Sequence, residues 1–141
     1  MNLGTEESLV KIVLDTNVLV SAIHFGGKPR KILNLIEDPG SAIVAITSPI
    51  LLAELVETFI KKFNFDSEHT EEIKAMIEES FELVYPKEEL QVTRDNDDNR
   101  VLEAALEGKC NYIITGDKDL LDLKTFKNIK IVTPDVFLSE F

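Results

Sequence analysis

Short runs of β-branched and aliphatic residues alternate along this chain with segments of helical periodicity, and that alternation limits the folds open to it. Val10–Leu14, Ser41–Ile46 and Asn111–Thr115 are apolar on nearly every successive residue rather than on every second one. A strand with one wet face alternates polar and apolar side chains, whereas a strand buried on both faces does not. Doubly buried strands joined through helices predict a mostly parallel central sheet in a three-layer α/β/α sandwich. Right-handed crossovers then gather the strand ends that lead into helices along one edge. Open sheets of this kind bind ligands at that edge, near a switch in strand order.

The punctuation supports the same reading. Asp15-Thr16-Asn17 is a polar turn after the first strand, and a helix is expected from about Val18 to before Gly26-Gly27. Pro29 suits the first turn of a second helix that runs to about Glu37 and closes at Pro39-Gly40. Ser48 is a helix cap with Pro49 at the first helical position, and Leu52, Leu55, Val56, Phe59 and Phe63 form one apolar face through Phe63. A charged helix is expected over about 67–80, a third strand over 81–85, and a helix from Asp98 to Glu107 with Gly108 as its stop. Lys118–Leu123 reads as a short helix, Ile129–Val132 as a last strand, and Thr133-Pro134 as the start of a terminal helix.

With 141 residues the chain has room for one core, so a single domain over 10–141 is expected, preceded by a flexible segment over 1–9. No apolar run nears the roughly 18 residues of a membrane helix. The opening Met1–Glu7 is polar and acidic, unlike a secretory signal, so a cytoplasmic location without membrane association is the expectation. Cys110 is the only cysteine, which excludes an intrachain disulfide and a cysteine-based metal site. The net charge of −11 argues against nucleic-acid binding unless cations reverse its local sign.

Placement of the acids therefore matters more than their number. Asp15 directly follows the first strand, and Asp117 follows the Asn111–Thr115 strand after one glycine. Both fall at the edge where such folds place their sites, although either is also a good helix cap. Asp98 lies in Asp95-Asn96-Asp97-Asp98, with Val101, Leu102 and Ala105 three, four and seven residues on, so it shares their buried stripe. An inward carboxylate is unusual unless paired or metal-bound. Asp97 lies off that stripe. Glu54 falls with Ile50, Glu57, Thr58 and Lys61, away from the core face of its helix, where a solvated surface with a Glu57–Lys61 pair is the plain reading. Thr16, Asn17 and Thr115 are auxiliary candidates that could orient a carboxylate, or could serve only the turns. Asp119 is expected on a surface helix within reach of a water on a bound ion. Lys28 and Arg30 form a local basic patch that is a candidate phosphate contact near a helix start. His24 and His69 lack a second histidine at ligand spacing and read as structural.

Val13–Ala22 resembles the opening motif of PIN domains, and Thr115-Gly116-Asp117-Lys118-Asp119-Leu120-Leu121 resembles their fourth. Ser48–Leu55 and Asp95–Ala105 resemble the two segments between, which carry a Glu and an Asp before an alanine-rich helix. The similarity runs from about Val10 to Phe141 and is closest to predicted toxin components of toxin–antitoxin systems, the VapC-like subfamily. It implies Mg²⁺ or Mn²⁺ dependence and cleavage of single-stranded RNA by an endoribonuclease. Its acids become Asp15, Glu54, Asp98 and Asp117 here, and Glu54 enters largely on this analogy. A small antitoxin protein is the implied partner, and a homodimer is expected.

The chemistry suits the residues. Hard carboxylate oxygens suit Mg²⁺, and a bound ion can activate water against an anionic phosphate. Without metal, two such charges repel by about 4 kcal/mol at a separation of about 4 Å and an effective dielectric of about 20, so at least one carboxyl should titrate high. A non-enzymatic binding module of phospho-receiver type, with a structural cation, is the alternative. A receiver would want adjacent acids after the first strand and an acceptor Asp after a middle one, whereas the second strand here ends Ile46-Thr47-Ser48.

Overall fold

The computed structural model describes residues 9–141 and builds a six-stranded sheet in the order β3-β2-β1-β4-β6-β5. The strands are β1 (Val10–Leu14), β2 (Ile43–Thr47), β3 (Glu82–Leu83), β4 (Tyr112–Ile114), β5 (Thr125–Phe126) and β6 (Ile129–Val132). All neighbours run parallel except β5 and β6. Of the flexible segment expected over 1–9, residues 1–8 lie outside the described residues.

Successive side chains of a strand point to opposite faces, and here both faces are covered. Ile12, Leu14, Ile43, Ala45 and Ile114 join one buried cluster, while Val13, Ile46, Ile113 and Ile131 join the other. The first face packs on α1 (Thr16–Val20), α2 (Gly27–Glu37), α3 (Pro49–Phe63), α4 (Ser67–Ser80) and α7 (Pro134–Ser139). The second packs mainly on α5 (Asn96–Glu107) and α6 (Lys118–Leu123), through Val101, Leu102, Ala104, Ala105 and Leu120. This is the expected three-layer arrangement, and its apolar strands follow from burial on both sides.

The chain leaves β1 toward β2 and β3 on one side, then returns to β4 on the other. The switch in strand order thus lies between β1 and β4. Leu14 and Ile114 are partners in register there, and the Asp15 backbone N–H donates to the Ile114 carbonyl at 3.0 Å. The residues that follow these two strands are side by side.

Several details depart from expectation, among them the start of α5 at Asn96 rather than Asp98 and a β3 of two residues rather than five. The first helix begins at Thr16, not Val18, and its continuation over Ser21–Phe25 is a π-helical turn that ends at Gly26 with φ +97°. Gly108 is not left-handed; its φ is −78°, and Lys109 takes the positive φ of +53°. Gly108 is required by space instead, because a Cβ there would stand 2.7 Å from Ile46 Cγ2. Thr125–Phe126 forms an added antiparallel strand, joined to β6 through Lys127 and Asn128 at φ +48° and +69°. Two consecutive left-handed residues make the tight turn whose twist matches that of a hairpin.

Candidate functional site

An open cleft of about 530 Å³ lies over the carboxyl ends of the central strands. It is lined by Asp15, Thr16 and Asn17 after β1, by Asp117 after β4, and by Asp95, Asp97 and Asp98 at the start of α5. The polar face of α3 closes it with Ile50, Ala53, Glu54, Glu57, Thr58, Lys61 and Lys62. All four principal acids expected from the sequence therefore reach one cavity.

Asp15 takes the cap position of α1, yet its side chain makes no capping hydrogen bond. Its carboxylate accepts instead from Thr115 Oγ1, at 2.7 Å, in a buried setting. The same hydroxyl accepts from the Asp117 backbone N–H at 2.9 Å. Burial raises the Asp15 pKa, opposed by the Thr115 bond and reinforced by the charge of Asp117. Asp117 does cap its helix, with Oδ1 accepting from the N–H groups of Asp119 at 2.8 Å and Leu120 at 3.3 Å.

Asp98 sits in the first turn of α5 on the buried side, only 5% exposed, in line with Val101, Leu102 and Ala105. Its Oδ2 is buried with no hydrogen-bond partner. Burial, then the charges of Asp117, Asp95 and Asp15, push its pKa up to about 7. One carboxylate oxygen from each of Asp98, Asp117 and Asp119 lies within 4.8 Å of the others. Asp119, expected only at a distance, thus belongs beside the principal acids. Its carboxylate is also gripped by Arg94, with Nε donating at 3.1 Å and Nη2 at 3.3 Å.

Glu54 occupies the opposite wall. Its Oε1 accepts from Thr16 Oγ1 at 2.5 Å, and burial raises its pKa to about 7 against that bond, with help from neighbouring Asp97 and Asp15. The face of α3 that avoids the core is the face that lines the cleft. Asp97, off the buried stripe of α5, faces Glu54 across it. Three carboxyls thus titrate above their ordinary range, as expected for crowded acids in a partly dry site. Asn17 is exposed at the cleft's mouth.

The remaining candidates lie elsewhere. Lys28 pairs with Asp135 at the start of α7, and Arg30 Nη1 donates to the Ala22 carbonyl at 3.3 Å; neither lines the cleft. His24 packs among Phe25, Phe63 and Phe65, and His69 bonds Asp66 at 3.0 Å. Neither lines the cleft. Cys110 is buried, and burial pushes its thiol up to about 12. Among the described residues, no helix is long and apolar enough to cross a membrane.

One buried carboxylate oxygen without a donor, Asp98 Oδ2, fits a hard divalent cation. Asp98, Asp117 and Asp119 offer only hard oxygen ligands, the set that suits Mg²⁺ or Mn²⁺ rather than softer metals, while Asp15 and Glu54 line the same cleft outside that group of three.

Comparison with known proteins places this geometry among relatives. A family model described as the PIN domain matches residues 11–119. An uncharacterised protein of Methanocaldococcus jannaschii is 34% identical over 149 residues, an alignment covering 96% of this chain and 94% of the relative. Among solved structures, VapBC-1 from nontypeable Haemophilus influenzae aligns with a TM-score of 0.63 at 17% identity, over 89% of this chain and 99% of that one. VapBC2 from Rickettsia felis, bound to a DNA fragment from their promoter, aligns at 0.57 and 16% identity, over 86% and 97%. PAE2754 from Pyrobaculum aerophilum aligns at 0.57 and 16%, over 93% and 88%. At such identities these three share the fold.

Proposed function

Because this chain belongs to the PIN-domain family, we propose that it is a Mg²⁺- or Mn²⁺-dependent endoribonuclease that hydrolyses phosphodiester bonds of single-stranded RNA. The observation that carries this reading is the orphaned Asp98 Oδ2, buried beside Asp117 and Asp119 at the end of the sheet. A buried carboxylate oxygen without a donor is costly unless a proton or a cation satisfies it, and above about pH 7 a cation is what remains for Asp98.

In this reading Asp15, Glu54, Asp98 and Asp117 hold the metal, with Asp119 at their margin. A bound divalent ion supplies a strong nucleophile near neutral pH and offsets charge on the phosphate. Thr115 fixes the Asp15 carboxylate through its hydroxyl, and Thr16 fixes Glu54 in the same way. Those bonds reduce the reorganisation needed when substrate arrives. In the metal-free state Glu54, whose pKa burial raises to about 7, is able to hold a proton, which a bound cation would displace.

The same reading makes the chain the toxin of a toxin–antitoxin pair in the cytoplasm, acting as a homodimer held in check by a small antitoxin protein. Likeness in fold to VapBC-1 and VapBC2 supports that partner. The test is cleavage of labelled single-stranded RNA and DNA with Mg²⁺, Mn²⁺ or EDTA, alongside Asp15→Asn. Metal-dependent cutting of RNA that disappears in a folded Asp15→Asn protein is expected. Equal rates in that variant overturn the assignment.

A further inference from the structure

The cleft poses an electrostatic difficulty for any phosphate ligand. Seven acids line it (Asp15, Glu54, Glu57, Asp95, Asp97, Asp98 and Asp117) against two lysines, one of which, Lys61, is bonded to Glu57 at 2.5 Å. The basic patch at Lys28 and Arg30 is turned to other partners. A substrate strand entering the acid cluster is favoured by a cation beside that cluster which the protein holds in place.

Arg94 meets that description. Its guanidinium forks onto both oxygens of Asp119, at 3.1 and 3.3 Å, and Asp119 in turn lies within 4.8 Å of Asp98 and Asp117. Nε and Nη2 are used; Nη1 has no hydrogen-bond partner among the described residues. The side chain is 86% exposed, so the free edge is open to solvent beside the acids.

Its backbone is fixed from below. Asn99, buried on α5, accepts from the N–H groups of Val92 at 3.0 Å and Thr93 at 2.8 Å, and donates to the Thr93 carbonyl at 3.1 Å. A buried amide with several bonds to one segment is a device for holding that segment where it enters α5. That segment supplies Asp95 as the cap of α5 and, one residue earlier, Arg94, which stands outside the cleft's lining and reaches the acid cluster through Asp119. A planar guanidinium on a fixed backbone, with one edge tethered and another free, is suited to gripping phosphate oxygens.

We infer that Arg94 is a phosphate-binding residue of the RNA site, held by Asp119 and the Asn99 clamp so that its free edge receives the phosphodiester entering the acid cluster. This rests on the nuclease reading above. It also assigns Asp119 two partners: the guanidinium outside and the cation inside, which compete for its oxygens.

Two measurements on Arg94→Ala and Arg94→Lys separate this role from a passive surface ion pair. The first is kcat and KM on a labelled single-stranded RNA in Mn²⁺ over a range of KCl; the second is Mn²⁺ affinity by calorimetry without RNA. Arg94→Ala should raise KM about tenfold or more, the loss of a charged hydrogen bond. It should also flatten the slope of log(kcat/KM) against log salt by about 0.7, one phosphate contact on a single strand. Its Mn²⁺ affinity should be unchanged or tighter by up to about fivefold, since a competing cation has gone. Arg94→Lys should recover the slope but not the full KM. Wild-type KM and slope in Arg94→Ala overturn the inference, as does weaker Mn²⁺ binding together with a lower melting temperature, which marks a structural role alone. A wild-type protein that binds Mn²⁺ but cuts no RNA overturns the parent reading, and this inference falls with it.

Discussion

Thr115 Oγ1 donates to Asp15 Oδ2 at 2.7 Å, tying the end of β4 to the end of β1 through a single hydroxyl. Because the same oxygen accepts the Asp117 N–H at 2.9 Å, one threonine sets the positions of two acids on neighbouring strands. Thr115→Val keeps the shape and removes both bonds. It should destabilise the fold by about 1–3 kcal/mol, the cost of a buried acceptor left without its donor. Thr115→Ser should recover most of that loss. Urea unfolding of the two variants checks the claim; a valine variant as stable as wild type would show that the hydroxyl orients nothing.

Asp98 is the acid with the most to lose in the metal-free state. Its buried, unpartnered oxygen faces like charges from Asp117, Asp95 and Asp15. Asp98→Asn removes that charge at constant size, so the metal-free protein should melt higher, by about 2–4 °C for each kcal/mol of repulsion relieved. The wild type should gain about 2.7 kcal/mol when Mn²⁺ is present at roughly a hundred times its dissociation constant, and the variant much less. Thermal melts with and without Mn²⁺ read both effects. A variant that melts lower without metal contradicts the electrostatic account of this site.

Stability should also depend on pH in a direction fixed by the raised carboxyls. Asp98 and Glu54 titrate near 7 in the folded chain, against ordinary carboxyl values of 3.8 and 4.5. Between those limits the folded state binds more protons than the unfolded state, so unfolding free energy falls as pH rises. The metal-free protein should therefore be more stable at about pH 5 than at about pH 8, with most of the change between about pH 4 and about pH 7. Divalent metal should have its largest stabilising effect at the upper end, where the carboxylates are ionised and the repulsion is greatest. Melting curves across that range in EDTA and in Mg²⁺ measure it; a metal-free stability that rises through the window refutes it.

Much of this was legible because strong local signals agree with the tertiary structure. Ser48-Pro49 starts α3 where expected, and the apolar runs mark β1, β2 and β4 because they are buried on both faces. Asp98 was visible from its spacing to Val101, Leu102 and Ala105. Glu54 was not, because helical periodicity tells which residues avoid the core but not what they face instead. The polar side of α3 faces the cleft rather than open water. Asp97 and Asp119 were underrated for the same reason: their neighbours come from other elements. The π-helical turn at Ser21–Phe25 leaves no mark in an apolar pattern. β5 is two residues long, and its hairpin turns on Lys127-Asn128 rather than on a glycine, so the usual turn signal is missing. The role of Gly108 depends on Ile46, sixty-two positions away, and contact of that range is invisible to local reading.

Asp98, Asp117 and Asp119, with Asp15 in the same cleft, are proposed to trap a hard divalent cation. Anomalous scattering from crystals soaked in Mn²⁺ tests it most directly. A peak in contact with carboxylate oxygens of Asp98 and Asp117, absent from crystals of Asp98→Asn, is the predicted result. No peak in the cleft at saturating Mn²⁺, or one held by Glu57 and other rim residues alone, would contradict it.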